Sequence, residues 1–266
     1  VRGWRPETGP GLDAALEALA TDPLTVVGRL PWSSNLTFLV ALGAPEDDDD
    51  EPDEVGDEPD GTDEPDWTEG ALHAVYKPAG GEQSLWDFPD GLYRREVAAY
   101  ALSEALGWGL VPPTVARDDA PFGEGSLQLF VDTDYQRHYF TLLEDGGYED
   151  TLRTMCAFDV VANNADRKSG HVLAGADDRL WGIDHGLCFH HHHKLRTVIW
   201  DFAGERVPAR LLADLVRLAD DLPDELATLL PGPERQALID RIDHLVATGI
   251  FPEPTGDRPP YPWPLV

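Results

Sequence analysis

Asn163-Asn164-Ala165-Asp166-Arg167-Lys168-Ser169-Gly170-His171, followed by Trp181-Gly182-Ile183-Asp184-His185-Gly186-Leu187, is the part of the chain whose reading decides the fold. The first run is polar. It follows a stretch with apolar residues at helical spacing (Leu152, Met155, Cys156, Val160) and leads into an extended segment, His171–Ala174. Leu180–Ile183 reads as a second short strand and delivers Asp184 near a glycine. A turn between the two strands lets their ends meet, so Asp166, His171 and Asp184 converge on one ion. Phosphoryl transfer asks little more of a protein: a carboxylate at the attacking hydroxyl, donors for a divalent cation, and positive charge along the phosphates.

Working outward, residues 11–20 read as a helix with Leu12, Ala15, Leu16 and Leu19 on one face. Strands are expected at 24–28, 36–42 and 72–77, with a turn at 31–35. A helix over 90–106 has Asp90 as its cap and Gly107 as its stop, and places Glu96 on the face of Leu92, Ala99 and Ser103. Extended runs at 114–117 and 127–131 complete a five-strand antiparallel sheet with one helix. Helices are expected at about 207–219, 223–230 and 233–247. The last fifteen residues carry six prolines and read as an extended surface segment. The fold class is therefore α+β in two lobes: a sheet lobe over 1–134 and a mainly helical lobe over 135–266, with the ligand between them.

The formal charge of −30 repels nucleic-acid phosphates and anionic lipid headgroups, which argues against nucleic-acid binding and stable membrane association. Half of that charge lies between Glu46 and Glu69, where fifteen acidic residues and no basic ones stand among prolines and glycines. This acidic insert, 46–69, reads as a solvated loop between two strands. Two cysteines, Cys156 and Cys188, are expected as reduced thiols. No apolar run is long enough to span a membrane, and no N-terminal stretch has the pattern of a signal peptide, so a cytoplasmic location is expected. Only three of the twenty basic residues are lysines (Lys77, Lys168 and Lys194).

These motifs resemble the phosphatidylinositol 3-/4-kinase-like family, in particular compact bacterial members related to the type II phosphatidylinositol 4-kinases, and share much with HipA-type kinases. The family pattern Asp-Arg-x-x-x-Asn then Ile-Asp-x-Gly is met by Asp166 to His171 and Ile183 to Gly186. Val75-Tyr76-Lys77-Pro78 resembles the phosphate-binding lysine strand. Arg95 to Tyr100 resembles the helix whose glutamate pairs with that lysine, and Ala105 to Thr114 the lead into the next strand. The resemblance implies a two-lobe protein-kinase-like fold and an ATP-dependent kinase acting on a hydroxyl of a small inositol-like alcohol or a protein Ser/Thr, with Mg²⁺ or Mn²⁺. It implies that Lys77 holds the α/β phosphates and Glu96 orients it. Asp166 serves the acceptor hydroxyl, Lys168 faces the γ-phosphate, and His171 and Asp184 bind the metal. Ser33, Ser34 and Asn35 cover the phosphates, and the strand ending in Leu129, Phe130 and Val131 touches adenine.

One residue departs from the pattern: His171 replaces an asparagine. Imidazole is a softer donor than an amide oxygen and suits Mn²⁺ or Zn²⁺ better than Mg²⁺. That keeps a nucleotide-binding pseudokinase open as an alternative. The run His190–His193, with Lys194 and Arg196, reads either as an exposed polar loop or as a surface for an anionic acceptor, and it supports a third alternative, a histidine-rich metal-binding module. Asp159 reads either as a helix-end hydrogen-bonder or as support for the polar loop.

Overall fold

The computed structural model describes residues 3–5, 10–31, 33, 35–43, 71–254 and 259–265; the acidic insert lies outside them. Strands β1 (Leu24–Arg29), β2 (Phe38–Leu42), β3 (Leu72–Pro78), β4 (Thr114–Arg117) and β5 (Gly125–Leu129) form an antiparallel sheet in the order β1-β2-β3-β5-β4. Alternation along the strands sends Val40, Leu42, Ala74, Tyr76, Leu127 and Leu129 into a core shared with Ala15 and Leu19 of helix α1 (Leu12–Thr21). By the same alternation Lys77 points away from Tyr76, to the opposite face, in register with Ser126.

Helix α2 (Leu92–Leu106) is buried almost all round. Two of its buried polar residues have partners across the lobe: Arg95 donates to the Cys188 carbonyl (2.5 Å) and to Glu234 (2.6 Å), and the Ser103 hydroxyl accepts the Leu110 amide (2.8 Å). The helix starts two residues later than the sequence predicts, and Asp90 does not cap it. Gly91, at φ 87°, turns the chain so that Glu82 accepts the amides of Gly91 (2.9 Å) and Tyr93 (2.7 Å). Gly107, at φ 69°, ends the helix in the left-handed conformation that glycine adopts freely.

The second lobe contains a three-strand sheet, β6 (Thr133–His138), β7 (Val172–Gly175) and β8 (Leu180–Gly182), and helices α3 (Tyr139–Asp145), α4 (Glu149–Ala162), α5 (Ala209–Asp220), α6 (Asp224–Leu229) and α7 (Gly232–Thr248). Strand β6 has no signature in the sequence, because Thr-Asp-Tyr-Gln-Arg-His has no apolar alternation. His171 closes a 3₁₀ turn, Ser169–His171, instead of opening a strand. Apolar stripes on α5 (Leu211, Leu215, Leu218) and α7 (Leu238, Ile242, Leu245) enter one core with α2 and α4, so α2 ties the sheet lobe to the helices. The proline-rich terminus lies against this lobe: Pro260 accepts the Thr197 amide (3.1 Å) and Leu265 the Ser169 amide (2.8 Å). Both cysteines are buried and unpaired. Among the described residues no helix is long and apolar enough to cross a membrane.

Leu42 and Leu72 face each other in the β2–β3 ladder, so the segment between them connects adjacent strand ends. Loop closure costs only about 0.6 kcal/mol per doubling of length. Replacing residues 46–69 with a short Gly-Ser turn should therefore leave the melting temperature within a few degrees of wild type. A cooperative transition lost or lowered well beyond that would mean that the insert packs on the fold.

Candidate active site

Helix α4 stops at Asn163, whose φ of 54° is left-handed, a conformation asparagine tolerates better than most residues. Its side chain amide donates to the carbonyls of His190 (2.8 Å) and His192 (2.7 Å). The loop that follows is tied to the segment around Asp184 through its backbone: Ala165 donates to the Leu187 carbonyl (2.9 Å), and Ile183 to that of His171 (3.0 Å). The two sequence motifs thus form one unit.

Arg167, fully buried, holds that unit to the helical core. Its Nε lies 3.1 Å from both oxygens of Asp159, and Nη2 is 2.9 Å from Oδ1 of the same carboxylate. Nη1 donates to the carbonyls of His171 (3.1 Å) and Ile183 (3.0 Å), and Nη2 meets His185 Nε2 at 2.8 Å. Asp159 also accepts from Thr197 (3.0 Å) and Asn164 (3.1 Å). Gly182 packs beside it: a Cβ there would come within 2.9 Å of Met155 Sδ and 3.4 Å of Arg167 Nη2, so the methionine would have to shift.

At the mouth of this assembly, Lys77 Nζ donates to Asp184 Oδ1 (2.8 Å) and to Glu96. Glu96 in turn accepts the amides of His185 (2.8 Å) and Gly186 (3.1 Å), so one carboxylate positions both the lysine and the turn after Asp184. Asp184 has φ 59°, an unfavourable conformation for a non-glycine residue, held by these bonds. Burial alone would lower the Lys77 pKa, but Asp184 and Glu96 outweigh it and the net shift is upward. Lys77 in turn holds the Asp184 carboxyl well below the usual carboxylate range.

Asp166, His171 and Asp184 bring one donor atom each within 4.8 Å of the others. The Asp166 carbonyl, which can only accept, is 3.0 Å from His171 Nδ1. The proton is therefore assigned to Nδ1, which leaves the Nε2 lone pair facing Asp184 Oδ2 at 3.4 Å. Burial lowers the His171 pKa to about 4, so the ring is neutral at neutral pH. Burial also raises the Asp166 carboxyl, against the pull of Lys168, whose Nζ is 3.1 Å away. Two carboxylates and a neutral imidazole fit a divalent cation that accepts mixed oxygen and nitrogen donors.

Lys77, Glu96, Asp166, Lys168, His171 and Asp184 all line one cleft of about 360 Å³, and Ser33 and Asn35 line it from the sheet lobe. Ser33 Oγ is 2.7 Å from Thr37 Oγ1, and Asn35 Oδ1 accepts the Gln83 amide (2.9 Å). Ser34 lies outside the described residues. Leu129, Phe130 and Val131 do not line this cleft. Leu129 and Val131 are buried in the sheet-lobe core, and Trp4 pairs with the backbone beside them: its amide donates to the Phe130 carbonyl (2.6 Å) and its carbonyl accepts the Asp132 amide (3.0 Å). The polar edge expected to face adenine is thus occupied by the chain itself. Neither Glu82 nor Trp4 carried a signal in the sequence, since both act through partners far along the chain.

Residues 92–228, more than half of the chain, match the model of the phosphatidylinositol 3- and 4-kinase family. The chain belongs to this family. The match is to the family at large rather than to its type II 4-kinase branch or to HipA-type kinases. It includes Glu96, Asp166, Lys168, His171 and Asp184, and begins after Lys77. Protein Rv2133c of Mycobacterium tuberculosis is 39% identical over 286 residues, covering 92% of this chain and 93% of that protein. Among solved structures, hydra Fam20 with sugar is similar with a TM-score of 0.46 and 15% identity, covering 88% of this chain and 86% of that one. The Helicobacter pylori proinflammatory kinase CtkA is similar with a TM-score of 0.42 and 10% identity, covering 88% and 94%.

Two outcomes follow from the geometry of this family member. Asp159→Asn leaves the Arg167 charge buried without its counter-ion and should cost about 3–5 kcal/mol in urea unfolding, as for other broken buried pairs. A loss below about 1 kcal/mol would mean that water reaches the guanidinium. His171 should make stability fall as pH drops from about 6.5 toward its folded pKa of about 4. The unfolded chain takes up a proton in that window and the folded one does not, a difference of at most about 3 kcal/mol. The His171→Asn variant should show a shallower slope there, and identical slopes would mean that His171 titrates normally.

Proposed function

We propose that this chain is an ATP-dependent kinase that moves the γ-phosphate of ATP to the hydroxyl of an alcohol, either a small soluble molecule or a protein Ser/Thr. The observation that carries this reading is the single cleft in which Asp166, His171 and Asp184 present donors to one point, beside a lysine clamped by Glu96. Asp184 and His171 would hold a divalent cation, Mg²⁺ or Mn²⁺, which when bound neutralises charge on the phosphates. Lys77 contacts the α/β phosphates, and Ser33 and Asn35 lie over them. Asp166 orients the acceptor hydroxyl and takes its proton, and its raised pKa suits that task. The acceptor oxygen forms a bond to the γ-phosphorus, the bond to the β-bridging oxygen breaks, and ADP leaves. Lys168, beside Asp166, stabilises negative charge on the transferring group.

One observation favours a second reading, a nucleotide-binding pseudokinase: His171 stands where the family pattern has asparagine, and an imidazole is a poorer donor to Mg²⁺. The histidine-rich metal module has less support. Among the described residues the cluster of three metal-ligating side chains is Asp166, His171 and Asp184, not His190–His193.

Asp184→Asn should abolish ATP-dependent transfer, read as autophosphorylation or ADP release, with the melt of the free protein retained. His171→Asn should keep activity and move the preference from Mn²⁺ toward Mg²⁺, because an amide oxygen is the harder donor. Stabilisation by ATP and metal without turnover, in wild type and in His171→Asn, would select the pseudokinase. Wild-type transfer by Asp184→Asn would sink the kinase reading.

A further inference from the structure

Strand β3 runs from the edge that Trp4 holds toward Lys77: the His73 carbonyl accepts the Phe130 amide (2.9 Å), and the Phe130 carbonyl accepts that of Trp4 (2.6 Å). His73 and Val75 share the Lys77 face of the strand by alternation, yet neither lines the cleft, and His73 is only 2% exposed. The cleft opens instead past Lys77, in the direction of the chain. Leu36, Leu85 and Tyr93 wall that outer end, and Leu92 and Leu187 continue it. Leu36 and Leu85 are large apolar side chains left 39% and 37% exposed there. The walls are fixed to each other. The Leu36 amide donates to the Gly81 carbonyl (3.0 Å), and Gly81 packs so closely that a Cβ on it would come within 2.6 Å of Leu36 Cβ. The Gln83 amide donates to Asn35 Oδ1 (2.9 Å). The Tyr93 ring is held by its hydroxyl, which donates to Glu124 (2.8 Å) and accepts from Arg94 Nε (2.9 Å).

An apolar, preformed wall next to a cluster of charge suits a ligand with a flat apolar part joined to a strongly anionic one. A nucleoside triphosphate is such a ligand. We propose that the base of the nucleotide sits at this outer end, against Leu36, Leu85 and Tyr93, on the opposite side of Lys77 from the strand edge that Trp4 occupies. The triphosphate then runs back toward Lys77 and the cation held by Asp184 and His171. Seated this way, the base reaches the cleft without displacing paired backbone or a buried tryptophan. Its contacts are mainly with apolar surface, so one purine is distinguished only weakly from another. The proposal rests on the kinase reading of the cleft and adds to it where the base lies.

The test combines photolabelling with calorimetric titration of the full chain in Mn²⁺ or Mg²⁺. Irradiation with 2-azido-ATP, followed by peptide mapping, should place the label in residues 82–93 or 35–37. Label on residues 129–132 or on Trp4 would overturn the proposal and leave the kinase reading standing. In titrations, ATP should bind roughly tenfold more tightly than tripolyphosphate, which carries the charge without the base. GTP should bind within about threefold of ATP. Leu85→Ala should weaken ATP about fivefold while leaving tripolyphosphate affinity and the melting temperature unchanged, since the side chain is partly exposed. Tripolyphosphate binding as tightly as ATP, ATP affinity unchanged in Leu85→Ala, or discrimination against GTP by about a hundredfold or more would each overturn the seat of the base without touching the kinase reading. Failure of both ATP and tripolyphosphate to bind in the presence of either metal would end both.

Discussion

The Arg167–Asp159 pair is the interaction on which the site depends. Both partners are fully buried, so their separate hydration is lost and must be made up by bonds inside the protein. The guanidinium does this by spreading its donors over four parts of the chain: Asp159 on α4, the His171 carbonyl, the Ile183 carbonyl and the His185 ring. Two of these immediately flank Asp184, and a third belongs to His171 itself. The spacing between the imidazole and the carboxylate is thus set by a rigid planar group rather than by two mobile loops. Such a fork cannot be replaced by lysine, whose ammonium lacks the planar geometry.

Charge in the cleft follows from the same arrangement. Asp166, Asp184 and Glu96 would repel one another if left alone in a partly buried site. Lys77 sits between Glu96 and Asp184, and Lys168 sits on Asp166, so each carboxylate has a positive neighbour. Lys77 therefore serves as the counter-charge to Asp184 before any ligand arrives. In the proposed reading the arriving phosphates give Lys77 new partners just as the cation takes over Asp184. The strongly negative chain then adds a constraint of its own: a triphosphate approaches it favourably only with its charge partly neutralised.

Much of this was legible in the sequence because it depends on local pattern. Lys77 ends an alternating strand, Glu96 lies on a helix with a clear stop, and Asp166 to His171 is a polar run between two ordered segments. The rest depends on partners distant along the chain, which no period reveals. Asp90 looked like the cap of α2, but Glu82, on the preceding loop, accepts the free amides because Gly91 turns them toward it. Asp159 left two roles open, and only the buried guanidinium distinguishes them. Strand β6 is polar and half-exposed, and it exists because β7 offers it an edge. The acidic insert lies outside the described residues, so its reading rests on composition alone.

Trp4 shows how such a distant partner changes the reading of a site. The Phe130 carbonyl and the Asp132 amide are alternate groups on one edge of the chain leaving β5, the pattern that a flat heterocycle or an added strand can meet. Trp4 meets it as an added strand. Its indole is buried against Trp181, with ring centroids 6.4 Å apart, and Gly3 packs so closely on the Val131 and Asp132 backbone that a Cβ there would clash. A base seeking that edge must first displace paired backbone and a buried tryptophan, each with a free-energy cost. Among the described residues, the Lys77–Asp184 end of the cleft carries no such obstruction. In the proposed reading, nucleotide affinity is accordingly drawn from the phosphates and the cation, and selectivity among bases is weak for as long as Trp4 keeps its place.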